Sequence, residues 1–149
     1  MSDKKKKPVA HAEFEELHNK YLRALADYQN LEKRTETALE QARLNTKKSI
    51  MLRALSVLDD MEKAEVFIKD DGLQMVMSSL LQMLSEYGVE EFDIVGKEYD
   101  PLSAEAVEIV EGEVDNVVTY VIQKGYRIGQ DILRPAKVRV SKKTRDVTS

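Results

Sequence analysis

From Ala12 to Ile68 the chain runs without a single Gly or Pro. These are the two residues that most often end a helix. The stretch therefore predicts one unbroken helix of about 55 residues, roughly 80 Å long at the α-helical rise. A chain of 149 residues cannot bury a rod of that length in a core of its own. The rod must lie against something else. Its apolar residues first recur as heptads: Phe14, Leu17, Tyr21, Ala24, Tyr28, Leu31. Beyond Leu31 that seam turns small or polar, through Thr35, Ala38, Ala42, Asn45 and Ser49. A second periodicity persists. Leu17, Tyr28, Leu39, Ile50 and Met61 are each eleven residues apart, and Leu44, Leu55 and Val66 form a parallel row. Eleven residues in three turns is about 3.67 per turn, which gives a nearly straight or slightly right-handed pairing. A second copy of the same helix is the expected partner. The row Leu17, Tyr28, Leu39, Ile50, Met61 is the expected dimer seam, thin between Asp27 and Asn45.

The remaining chain is expected to fall into four parts. Residues 1–10, with Lys4 to Lys7 and then Pro8, read as a disordered basic tail. Residues 11–88 carry the long helix and a second one. Lys69-Asp70-Asp71-Gly72 separates them, with Asp70 or Asp71 as cap. The second helix has Leu73, Val76, Met77, Leu80, Leu81 and Leu84 on one face. Two copies of this hairpin would make a four-helix bundle. Gly88 ends the second helix at the C′ position. Residues 89–141 then read as a small all-β domain of about six short strands. Gly129-Gln130 is its hairpin turn, Pro135 a break, and Lys137–Lys143 a half-exposed strand. In that strand Val138 and Val140 share one face, with Lys137, Arg139 and Ser141 on the other. Residues 142–149 are a polar tail. The fold class is α+β: a dimeric helical bundle followed by a small β-domain.

Chemistry is conspicuously missing from the sequence. There is no cysteine, which removes disulfides, thiolate metal sites and Cys nucleophiles. The two histidines, His11 and His18, lie in the charged part of the long helix and are too few for a zinc site. No Walker A loop, GxGxxG, HExxH or GxSxG occurs. No catalytic residue, metal site, cofactor or small-molecule substrate is expected, and the chain reads as a binding protein rather than an enzyme. The net charge of −4 disfavours nucleic-acid binding. No apolar run reaches the ~20 residues that span a bilayer, and no apolar segment follows the Lys run as in a signal peptide. A cytoplasmic setting is expected.

Four separated motifs carry a family resemblance. The run from Val121 to Val140, Val-Ile-Gln-Lys-Gly-Tyr-Arg-Ile-Gly-Gln-Asp-Ile-Leu-Arg-Pro-Ala-Lys-Val-Arg-Val, resembles the signature of GrpE, the nucleotide exchange factor of the Hsp70 chaperone DnaK. Ala26-Asp27-Tyr28-Gln29-Asn30 with Lys33-Arg34-Thr35 is similar to that family's long-helix motif. Leu55 to Ala64 resembles its end-of-helix motif, and Tyr87-Gly88-Val89 with Tyr99-Asp100-Pro101 its bundle-to-β junction. The resemblance implies a homodimer in which one β-domain engages the Hsp70 ATPase domain, chiefly subdomain IIB. Rotation of that subdomain opens the nucleotide cleft, and ADP leaves. The thin seam predicts that the long helix pair unwinds below the unfolding of the β-domain, a thermosensor role that fits the resemblance. On the family pattern, Lys63, Gly88, Lys124, Gly125, Tyr126, Arg134, Pro135, Val138 and Val140 are the expected partner contacts.

The sequence departs from the pattern in places. Ala104 stands where the Asp-Pro motif usually has His, which puts that loop's hydrogen bonding in question. Asp131 reverses the charge usual in the hairpin. Ser56 and Lys63 replace Pro and Arg. The competing expectation is a structural coiled-coil dimer whose β-domain binds a different protein.

Overall fold

A computed structural model describes residues 7–144. The chain divides into two compact units, residues 1–46 and 47–149. The dividing point lies inside the first helix, α1, which runs Lys7–Phe67 for 61 residues. This helix begins earlier than the sequence suggests. Pro8 sits in its first turn, where a missing N–H costs nothing and the fixed φ suits the helix. The expectation of a disordered tail over 1–10 is therefore corrected for residues 7–10. Residues 1–6 lie outside the described residues.

In the first unit every side chain from Ala10 to Thr46 is exposed. The helix is supported locally by pairs one turn apart. Lys20 and Glu16 lie 2.7 Å apart, and the Gln41 amide donates to Asn45 Oδ1 at 3.0 Å. Such pairs add only tenths of a kcal/mol each. The Thr37 and Thr46 hydroxyls donate back to the carbonyls of Lys33 and Ala42 at 2.9 and 2.8 Å. Hydroxyls that bond backwards in this way weaken a helix slightly.

In the second unit α1 ends at Phe67, and α2 spans Asp71–Glu86. Asp70 is its N-cap, accepting from the N–H groups of Gly72 and Leu73 at 2.7 and 3.2 Å. Gly88 follows the helix with φ +83°, the left-handed conformation expected at C′.

Six strands follow: β1 Val89–Glu91, β2 Ala104–Gly112, β3 Val118–Gln123, β4 Tyr126–Ile128, β5 Asp131–Arg134 and β6 Ala136–Lys143. They form two three-stranded sheets, ordered β1-β4-β5 and β2-β6-β3. The first is antiparallel throughout. Its β4–β5 hairpin turns at Gly129-Gln130, with Gly129 at φ +59°. In the second sheet β6 is central, parallel to β2 and antiparallel to β3. β2 is an edge strand, with a register shift between Ala106 and Glu108.

Two cores result. One joins Met51, Leu55 and Leu58 of α1 to Met77 and Leu84 of α2 and to Val89, Tyr126, Ile128 and Leu133 of the first sheet. The other contains Ala104, Val118, Ala136, Val138 and Val140, with Phe92, Ile94, Tyr99 and Val121 against it. The division expected at residue 89 is therefore not a division of the core: the β1-β4-β5 sheet shares its apolar interior with the helices.

Two details differ from expectation. Ser141 was expected on the exposed face of β6 but is buried. Its hydroxyl donates to the carbonyl of Val114 at 2.6 Å and accepts from the N–H of Val117 at 3.3 Å, so burial leaves no polar group unpaired. Gly112 lies against its Cβ, where a side chain would collide at 2.7 Å. Strand β6 also continues to Lys143, two residues into the segment expected to be tail.

Candidate functional site

The β4–β5 hairpin lies along α1 and is tied to it by charged side chains at two places. The first centres on Asp59. Arg134, the last residue of β5, meets its carboxylate with both terminal nitrogens, Nη1 to Oδ2 at 2.6 Å and Nη2 to Oδ1 at 2.9 Å. The Gln123 amide donates to the same carboxylate at 2.9 Å. Arg134 also donates to the carbonyl of Lys124, from Nε at 3.2 Å and Nη2 at 2.9 Å. Its guanidinium carbon lies 5.4 Å from the centre of the Tyr126 ring. Both charged side chains are largely withdrawn from solvent, at 13% and 14% exposure. A planar, bidentate pair of this kind fixes orientation as well as distance.

One turn further along α1, Glu62 accepts from Lys124 Nζ at 2.7 Å, and Glu91 lies 3.7 Å from the same nitrogen. The hydrogen bond to Glu62 outweighs partial burial and raises the Lys124 pKa. The second tie is Lys48 to Asp131, at 2.9 Å. Lys48 is eleven residues before Asp59, three turns away. The two ties are therefore about 16 Å apart along the helix axis.

The residues expected to face a partner separate into three groups. Lys63, Gly88 and Pro135 are exposed. Lys124 and Arg134 are partly buried and engaged with α1, so their charges serve the chain's own packing. Gly125, Tyr126, Val138 and Val140 are buried. As placed in this chain, these four belong to its interior. A Cβ on Gly125 would stand 2.3 Å from the Phe92 ring and 2.8 Å from the Ala136 nitrogen. Ala104 is likewise a core residue. The motif loop before it is held by Asp100, whose carboxylate accepts from the N–H of Leu102 at 3.0 Å and whose carbonyl accepts from that of Ala104 at 3.0 Å.

Of the expected seam, Leu17, Tyr28, Leu39 and Ile50 are all more than half exposed, whereas Met61 packs partly against the first core. Sequence reasoning missed a surface row on the second sheet. Arg139 meets Glu108 across the β2–β6 register and lies 5.0 Å from the Tyr120 ring centre on β3. The β-branched run Val117, Val118, Thr119, Val121, Ile122 signals the strand, but not which residue of a neighbouring strand each one meets.

Tyr126 carries a measurable signature of its burial. Desolvation, reinforced by the nearby Glu91 charge, pushes its phenol up to about 12. The folded state thus keeps a proton that the unfolded chain releases near pH 10. Stability contributed by this phenol is present below pH 10 and is lost as pH rises towards 12. In an alkaline absorbance titration, one tyrosine component is expected near pH 12, absent in Tyr126→Phe. A Tyr126 component titrating near pH 10 would contradict its burial.

The GrpE family profile matches residues 2–142. The chain belongs to the GrpE family. It is 36% identical over 140 residues to protein GrpE of Parageobacillus thermoglucosidasius, covering 87% of this chain and 62% of that protein. It is 33% identical over 138 residues to protein GrpE of Picrophilus torridus, covering 93% and 75%. With protein GrpE of Meiothermus ruber it shares 38% identity over 128 residues, covering 82% and 72%. This GrpE-family chain thus spans less than two thirds of the Parageobacillus protein and more of the other two. Among the described residues, no helix is long and apolar enough to cross a membrane, and no group of His, Cys, Asp and Glu side chains is arranged to hold a metal ion.

Proposed function

We propose that this chain is a co-chaperone: a nucleotide exchange factor that binds the ATPase domain of an Hsp70 of the DnaK type and accelerates ADP release. The observation carrying this reading is the family match over residues 2–142, which takes in both helices and reaches into the last strand. The chain itself hydrolyses nothing in this scheme. It acts as a ligand that binds the open nucleotide cleft better than the closed one. ADP and the exchange factor must then weaken each other's binding by the same factor. A cytoplasmic setting follows from that partner.

The working form is proposed to be a homodimer. Support comes from Leu17, Tyr28, Leu39 and Ile50, apolar side chains left exposed along α1. Met75, Val76 and Leu81 on α2 and Val57 on α1 are exposed as well, as a bundle completed by a second copy requires. Partner contact is assigned to the exposed residues Lys63, Gly88 and Pro135 and to the free part of Lys124. The buried residues Gly125, Tyr126, Val138 and Val140 support that surface from beneath. Release of fluorescent ADP from a purified DnaK-type chaperone is expected to accelerate at micromolar concentrations of the chain. A dimer that leaves release unchanged would instead be a spacer whose β-part serves another protein.

A thermosensor role rests on the seam. Thr35, Ala38, Ala42, Asn45 and Ser49 give a helix pair little to bury in its middle. Calorimetry is expected to show a reversible low-temperature transition ahead of the unfolding of the β-part. Replacing both Asn45 and Ser49 with Leu should raise the first transition and leave the second in place. A single transition in the unaltered chain would remove this role.

A further inference from the structure

We propose that the two ties between α1 and the β4–β5 hairpin form an orientation lock, which makes the helix end and the β-part a single rigid lever. A single anchor lets a sheet pivot about it. Two anchors about 16 Å apart along one helix do not. The Asp59 anchor is the stiffer one: the Arg134 fork is planar, both of its terminal nitrogens are committed to the carboxylate, and Tyr126 lies beneath it. The Lys48–Asp131 anchor is the more exposed one and sets the angle at the turn end of the hairpin. Asp131, the reversed charge of this sequence, thereby finds its partner within its own chain. The apolar core between the anchors supplies cohesion without direction. The charged ends supply the direction.

The inference rests on the exchange-factor reading in this respect: a lever is useful only if the β-part must hold open a domain that tends to close. Arg134, Asp59, Lys48 and Asp131 are then positioning residues, and their loss should affect the limiting rate of ADP release more than the concentration that half-saturates it. In Asp59→Asn the limiting rate is expected to fall about tenfold, the size of an ordinary coupling between sites. The half-saturating concentration should change less than about twofold, since the exposed docking residues are untouched. Lys48→Asp and Asp131→Lys should each lower the limiting rate, and the double exchange should restore it. Arg127→Ala, which breaks an exposed pair with Glu90 inside the sheet, should have no effect.

The chain lacks cysteine, so spin labels at Arg53→Cys and Glu111→Cys, diluted with unlabelled chain, report the angle without any partner. The distance distribution should be narrow in the otherwise unaltered chain. It should broaden in Asp59→Asn and in Lys48→Asp, and narrow again in the exchanged pair. An unaltered chain that fails to accelerate release would reject the exchange-factor reading, leaving the lock to be judged by the spin labels. Acceleration by the unaltered chain with equal limiting rates in Asp59→Asn and Lys48→Asp would overturn the lever. Equally narrow distance distributions in those variants would overturn the lock itself.

Discussion

Asp59→Ala is expected to destabilise the folded chain by about 3–5 kcal/mol, a cost set by what it leaves behind rather than by what it removes. Arg134 would remain largely withdrawn from solvent, with its fork facing a void. Gln123 would lose its acceptor too. A guanidinium does not neutralise itself by releasing a proton, so the charge stays. Asp59→Leu combined with Arg134→Met removes both charges while keeping apolar volume, and is expected to lie within about 1–2 kcal/mol of the unaltered chain. Urea denaturation at a fixed protomer concentration measures both, since the stability of an oligomer depends on that concentration. If the single change costs no more than the double, the pair is not the buried, mutually dependent unit its geometry describes.

Leu55→Ala is expected to cost about 2–5 kcal/mol, the range for emptying a fully buried leucine site. Leu55 has no exposed surface and lies in a core that takes side chains from α1, α2, β1, β4 and β5. A cavity there should therefore loosen helices and sheet together. The far-ultraviolet ellipticity lost in the transition that unfolds this core and the near-ultraviolet ellipticity from Tyr126, in the same core, should shift to lower urea by the same amount. A shift of the helical signal alone would mean that the sheet is held independently of that core. Under the proposed exchange-factor function, the variant also separates packing from docking: per folded molecule, its effect on ADP release should match that of the unaltered chain.

Local chemistry made much of this legible. Asp70 and Gly88 mark the ends of α2 because a cap and a left-handed residue are needed at those points whatever packs around them. Gly129-Gln130 marks its hairpin, and Pro135 the break between β5 and β6, for similarly local reasons. Four members of the eleven-residue row, Leu17, Tyr28, Leu39 and Ile50, are exposed along α1. What escaped was decided at long range. Arg134 and Asp59 are 75 residues apart in sequence, and nothing within either segment says that one charge is spoken for by the other. A surface-like lysine and arginine in a β-segment consequently read as partner contacts when they are engaged with the chain's own helix. Ser141 escaped for the converse reason. Its hydroxyl is satisfied by backbone of another loop, which alternation along one strand cannot reveal. Val138 and Val140 lay within the motif that carries the family resemblance, and a motif does not separate residues that touch a partner from those that hold the surface up.

The edge strand β2 has a bearing on how such a chain stays apart from its neighbours. Its nine residues pair with one strand only, β6; among the described residues no strand lies on its other side, where the N–H groups of Ala104 and Ala106 are taken by the Asp100 carbonyl and the Tyr99 hydroxyl. Val107 and Ile109 stand exposed on it. An edge of this kind is a template for a foreign strand. Here it is defended twice. Glu105 and Glu111 place like charges along it, so a second copy approaching edge to edge would meet its own repulsion, while Glu108 is matched by Arg139 of the same sheet. The irregularity between Ala106 and Glu108 breaks the flat register that an incoming strand would need. The irregular register and the acidic side chains thus make this edge a poor template for another strand.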